Sequence, residues 1–193
     1  MSIQDKHIAM VEKLLKPGAT IKDEMKLEEF KAILLAQSVA SEAAAIMDSC
    51  SMFEEDFDGM TPDMWSEQHA LLGMVGEAGE LLDAVKKLYI YRKTDDFDKR
   101  AACIANIDEE LGDLAFYIEA FDLTDTNKFT TKLREHAMNL ASHFGLIWDQ
   151  VLQRNIDKLT DPEKGRYRAG TYSDSDAQAR NDKSPTAAIV AQE

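Results

Sequence analysis

Four acidic residues are spaced so that they could do chemistry together. Glu77 and Glu80 lie three residues apart, and so do Glu110 and Asp113. On a helix, residues three apart are neighbours on one face, so each pair would present two carboxylates side by side. If two such helices pack antiparallel, the four carboxylates meet. Two unit charges about 4 Å apart repel by roughly 4 kcal/mol at an effective dielectric of 20, so the meeting point calls for a cation. An all-oxygen donor set suits Mg²⁺ or Mn²⁺. Four acids can hold two ions about 4 Å apart, the two-metal arrangement used for phosphoryl chemistry.

Glycines accompany both pairs. Gly73, Gly76 and Gly79 surround Glu77 and Glu80, and Gly112 separates Glu110 from Asp113. Each costs about 1 kcal/mol relative to alanine inside a helix. Close approach of another backbone or of a ligand is the usual compensation. One acidic pair alone would read as a solvated helix face. The repetition of acid, glycine and acid on two elements favours a site. Asp83, further along the first element, is a candidate supporting or additional ligand.

The elements that must position these residues read as helices. Glycine and proline number 9 and 4 in 193 residues, and the stretches between them are rich in Ala, Leu, Glu, Lys and Met, all strong helix formers. Alternation of period two is hard to find. The expected fold is all-α, an antiparallel helical bundle of four long helices with an irregular C-terminal loop and tail. A short first helix carries Met10, Leu14 and Leu15 and ends near Pro17 and Gly18. The long ones are expected over about Lys26 to Asp48, Pro62 to Tyr91, Ala101 to Phe121, and from Asp125 or Thr126 to Leu159. Thr61 is the expected N-cap of the second of these, and residues 92–100 a charged connector. Residues 1–183 form a single domain, with 21–61 as a helical extension or insertion and 184–193 as a disordered tail.

Composition narrows the function classes. Hydrophobic residues make up 45 % of the chain, enough for a globular core. The formal net charge is −14, which disfavours a polynucleotide or an anionic membrane, since affinity for both relies on Lys and Arg. A small phosphorylated substrate remains compatible if a metal or a local cluster of basic side chains offsets the repulsion. No run of 18 apolar residues and no signal-peptide core occurs, and the two cysteines, Cys50 and Cys103, are far apart. A cytoplasmic protein is expected, in the host cytoplasm if it is phage-encoded.

The motifs resemble the MazG-like family of all-α nucleoside triphosphate pyrophosphohydrolases. The stretches that carry the resemblance are His69 to Lys87, Asp108 to Ile118, and Asn155-Ile156-Asp157-Lys158-Leu159. Glu77 and Glu80 match the first half of that family's ExxE…ExxD signature, and Glu110 and Asp113 match the second. The segment Gly170 to Lys183 looks like the tail of a phage and bacterial subgroup. Residues 160–165 separate Leu159 from Arg166 and Tyr167, a spacing longer than that subgroup's. Residues 21–61 match nothing in it.

The resemblance implies Mg²⁺-dependent cleavage of the α–β bond of a (deoxy)nucleoside triphosphate, giving a monophosphate and pyrophosphate. Two or more Mg²⁺ ions, or Mn²⁺, would be held by Glu77, Glu80, Glu110 and Asp113. Glu77 or Glu80 would act as the base toward water. Lys87, Asn155, Lys158, Arg166, Tyr172, Arg180 and Lys183 would contact phosphate or sugar, the last four from a loop that closes over the nucleotide. The phage-like tail points to a role in shaping a dNTP pool, with dGTP the favoured substrate. A homodimer or homotetramer is expected. The alternative is a non-catalytic helical interaction protein that retains the fold. A ferritin-like di-iron bundle is disfavoured, because no His stands three residues after any Glu.

Overall fold

The computed structural model describes residues 4, 6, 7, 10, 26–50, 62–90, 96–124, 130–163 and 165. Five helices and no strand occur among the described residues: α1 (Leu27–Ser49), α2 (Pro62–Tyr89), α3 (Phe97–Thr124), α4 (Thr131–His143) and α5 (Trp148–Thr160). The all-α expectation holds. Of the expected short first helix, Met10 is described and is helical, as are Gln4, Lys6 and His7 before it; Leu14, Leu15, the Thr61 cap and the 184–193 tail lie outside the described residues.

Two expectations about the elements need correction. The long helix expected from Asp125 or Thr126 to Leu159 is two helices, because the chain turns at Gly145, whose φ of 71° is left-handed. That region strongly favours glycine. The stretch from His136 to Trp148 holds no proline and only this one glycine, so its periodicity reads straight through the corner. The charged connector is also shorter than expected. Residues 97–100 already belong to α3. The carboxylate of Asp96 accepts hydrogen bonds from the backbone N–H groups of Asp98 (3.0 Å) and Lys99 (3.2 Å), which is N-capping by an aspartate.

Seams of apolar residues explain how the helices pack. On α1 the buried set is Ala32, Ala36, Val39, Ala43 and Ile46; on α2 it includes Leu71, Met74, Ala78, Leu81, Val85 and Leu88. Both sets step alternately by three and four residues, the spacing of helices that pack at shallow angles. The alanines of α1 let neighbouring helices come close. By length and composition α1 is apolar enough to cross a bilayer. Its alanine-rich seam is nevertheless buried, in contact with α2 and α4. Its polar side carries Glu42, which pairs with Lys132 of α4 at 2.6 Å.

The most extensive packing joins α2 to α3, and α5 packs on α3. Gly73 of α2 lies against the ring of Tyr117 on α3, while Glu77 and Glu80 lie against Glu110. Rising numbers on one helix meet falling numbers on the other, so α2 and α3 run antiparallel. At the far end of α3, Asp122 accepts hydrogen bonds from Arg134 (2.7 Å) and from the buried hydroxyl of Thr130 (2.5 Å). These bonds fix the start of α4 to α3.

Candidate metal centre

The two acid motifs do meet. Ligand oxygens of Glu77, Glu80 and Glu110 all lie within 4.8 Å of one another. Glu110 is 4 % exposed, Glu77 is half-buried and Glu80 is exposed. The helices hold this geometry from behind. Leu81 and Val85 on α2, and Ile107, Leu111 and Leu114 on α3, are fully buried in the common core. Opposite oxygens around a Mg²⁺ ion stand about 4.2 Å apart, twice a bond length of about 2.1 Å. Only one pair among three such oxygens can stand opposite, and adjacent ones stand about 3 Å apart. Carboxylates with oxygens within 4.8 Å of one another would therefore draw together by side-chain rotation to share one ion. Their all-oxygen character and their convergence from two helices fit a hard divalent cation.

Asp113 is not in that group. It is buried one turn further along α3, and its Oδ1 is held by two donors from α5. The Asn155 amide donates to it at 2.7 Å, and the Lys158 ammonium pairs with it more closely still. Lys158 also lies 3.6 Å from Glu109. Asn155 and Lys158, expected to face the substrate, therefore face the fourth acid of the signature. Lys158 sits in the last turn of α5, where the helix dipole favours a positive charge.

Gly112 explains how α5 comes so near. A Cβ there would stand 2.9 Å from Cβ of Asn155, closer than two carbons pack. Gly73 has a similar reason, since its missing Cβ would fall 2.3 Å from the Tyr117 ring. Gly76 and Gly79 are different: a Cβ at either would meet nothing within 4 Å. For these two, backbone crowding within the described structure supplies no compensation. Among the described residues they leave open space beside Glu77 and Glu80.

Lys87 is engaged within its own helix. It pairs with Asp83 at 2.8 Å, and Lys86 pairs with the same carboxylate. Partial burial works to raise the Asp83 pKa, but the bonds from Lys86 and Lys87 outweigh it and hold the group below its ordinary value. Arg166, Tyr172, Arg180 and Lys183 lie outside the described residues.

Sequence reasoning missed the outer anchor of α5. Arg154 makes a two-pronged contact with Asp108, at 2.5 and 2.6 Å, a geometry suited to guanidinium and carboxylate. The hydrogen bond to Asp108 raises the Arg154 pKa. The signal was present: Asp108 and Glu109 directly precede Glu110, and Arg154 directly precedes Asn155. Beside these residues lies a cavity of about 350 Å³ between α3 and α5, lined in part by Asp108, Glu109, Gly112, Arg154, Asn155 and Lys158.

No protein-family model, curated protein or solved structure matches the chain.

Proposed function

We propose that this chain is a divalent-metal-dependent nucleotide pyrophosphohydrolase that cleaves the α–β bond of a (deoxy)nucleoside triphosphate. The observation that carries the reading is the convergence of Glu77, Glu80 and Glu110 from two antiparallel helices. The likeness of the motifs to the MazG-like signature supplies the reaction, and with it the finer fold type, an antiparallel bundle of the all-α NTP pyrophosphatase kind. Glu77, Glu80 and Glu110 would hold Mg²⁺ or Mn²⁺, which would supply Lewis-acid activation of the phosphate and of water.

The chain's own residues have distinct parts in this reading. Glu110, buried, fixes the inner side of the site. Glu80, exposed, or Glu77, half-buried, would take a proton from water. Gly76 and Gly79 leave room for a triphosphate along the outer face of α2. Lys86 and Lys87, both paired with Asp83, are the first basic residues further along that helix, and Lys87 would reach a phosphate. The substrate pool is that of cytoplasmic dNTPs, dGTP first, and the assembly is a homodimer or homotetramer.

Incubation with each of the eight common NTPs and dNTPs plus Mg²⁺, with product masses recorded, tests the reading. Monophosphate and pyrophosphate are expected from at least one of them, and Glu80→Gln is expected to abolish turnover while the helical content is unchanged. Full activity of that variant would refute the assignment of the centre. No product from any of the eight would leave the non-catalytic alternative standing.

A further inference from the structure

We infer that Lys158 is a tethered counter-cation: it holds Asp113 back from the other three carboxylates and yields it to an incoming divalent ion. The inference rests on the reading above, that the carboxylate centre binds metal.

Four observations carry it. The Lys158 ammonium is in direct contact with Oδ1 of Asp113. Its side chain is only 14 % exposed, so this is an interior pair and not a surface one. Asp113 lies a single turn from Glu110 on α3, yet it is not among the oxygens that converge within 4.8 Å. Finally, Lys158 already has a second carboxylate, Glu109, at 3.6 Å.

These positions make an exchange cheap. Removing the partner of a buried charge is ordinarily costly, because the remaining charge is left without compensation. Lys158 escapes that cost by moving from Asp113 to Glu109. The cavity between α3 and α5 borders Lys158 and Glu109 and gives the lysine side chain room. A divalent ion at Glu77, Glu80 and Glu110 would repel the nearby ammonium and attract Asp113, so both effects act in the same direction. Asn155 stays on Asp113 throughout, donating from α5, and keeps that carboxylate oriented while its cation changes. Lys158 is thus a positioning residue that competes with the metal.

The test is Mn²⁺ binding to the nucleotide-free, full-length protein, followed by electron paramagnetic resonance. Lys158→Met is expected to bind Mn²⁺ at least about fivefold more tightly, the low end of a typical coupling between two ligands. Glu109→Gln is expected to bind more weakly, because Lys158 then loses the carboxylate to which it would move. In EDTA, Lys158→Met should melt at a lower temperature than wild type and gain more from added Mg²⁺, as linkage requires. A lysine that serves only structure would give unchanged or weaker binding in Lys158→Met, and that result overturns the inference. Should that variant fail to fold, unchanged affinity in Glu109→Gln overturns it instead. If wild type binds Mn²⁺, Glu80→Gln binds it poorly and Lys158→Met equals wild type, only the role of Lys158 falls. If wild type binds no Mn²⁺ at all, the metal centre falls with it.

Discussion

Gly112 and Asn155 are in contact across the α3–α5 interface so tightly that one methyl group would not fit between them. Alanine in place of glycine ordinarily stabilises a helix by about 1 kcal/mol. Here the new Cβ would stand 2.9 Å from Cβ and 3.1 Å from Nδ2 of Asn155. Overpacking of this kind costs about 1–3 kcal/mol. Gly112→Ala is therefore expected to lower Tm by a few degrees and to shift the Asn155 side-chain amide signals in an NMR spectrum. A rise in Tm would show that α5 does not seat on Gly112.

The glycines of α2 should divide into two classes. Gly73→Ala would force a methyl into the Tyr117 ring, and a loss of about 1–3 kcal/mol is expected. Gly76→Ala and Gly79→Ala face open space, so each is expected to gain up to about 1 kcal/mol from helix propensity. If nucleotide lies along that open face, the same two variants lose kcat/KM while gaining Tm. Denaturant melts combined with initial rates distinguish the classes, and a loss of stability in Gly76→Ala would contradict the open face.

Glu110 is buried beside two other carboxylates, so its charge works against folding when no cation is near. Glu110→Gln keeps the shape and removes the charge. In EDTA the variant is expected to be more stable than wild type by about 1 kcal/mol or more, given repulsion of roughly 4 kcal/mol per close pair before solvent screening. Added Mg²⁺ should raise the Tm of wild type and have little effect on the variant. Equal Mg²⁺ shifts in the two proteins would remove Glu110 from the centre.

Asp83 sets a pH dependence. Lys86 and Lys87 hold its pKa below the ordinary 3.8 despite partial burial. A carboxylate whose folded-state pKa is depressed adds stability above its unfolded value and loses it as pH falls through the folded value. Asp83→Asn is therefore expected to be less stable than wild type at pH 7, and the difference should begin to shrink as pH falls past the ordinary value and vanish only below the lower, folded-state value. The side chain is 38 % exposed, so the difference is small. Urea melts at pH 7 and at a series of pH values falling below about 4 give the comparison, and a gap that does not narrow along that series would assign the effect to helix propensity instead.

The helical class and the meeting of Glu77, Glu80 and Glu110 were legible because both are periodic. Apolar seams at steps of three and four mark the buried faces, and acids at a step of three mark a shared face. The direction in which Asn155 and Lys158 point was not legible. Sequence spacing puts them on one face of a helix, but only the angle at which α5 crosses α3 decides that this face meets Asp113. The break at Gly145 was hidden for a related reason. A left-handed residue is a single dihedral, and it leaves the apolar pattern on both sides intact. The Asp96 cap was hidden because a run of charges around it reads as a connector.

The four-residue corner from Phe144 to Ile147 is the immediate link between α4, which packs mainly on α1, and α5, which packs mainly on α3. A helix advances 100° per residue, so the length of that corner acts as a phase setting. A residue added or removed there and taken up at the start of α5 would turn Asn155 and Lys158 away from Asp113 by about 100° and present Arg154 or Ile156 in their place. A four-residue bend more than 30 positions downstream of the second acid motif thus determines which side chains that motif meets.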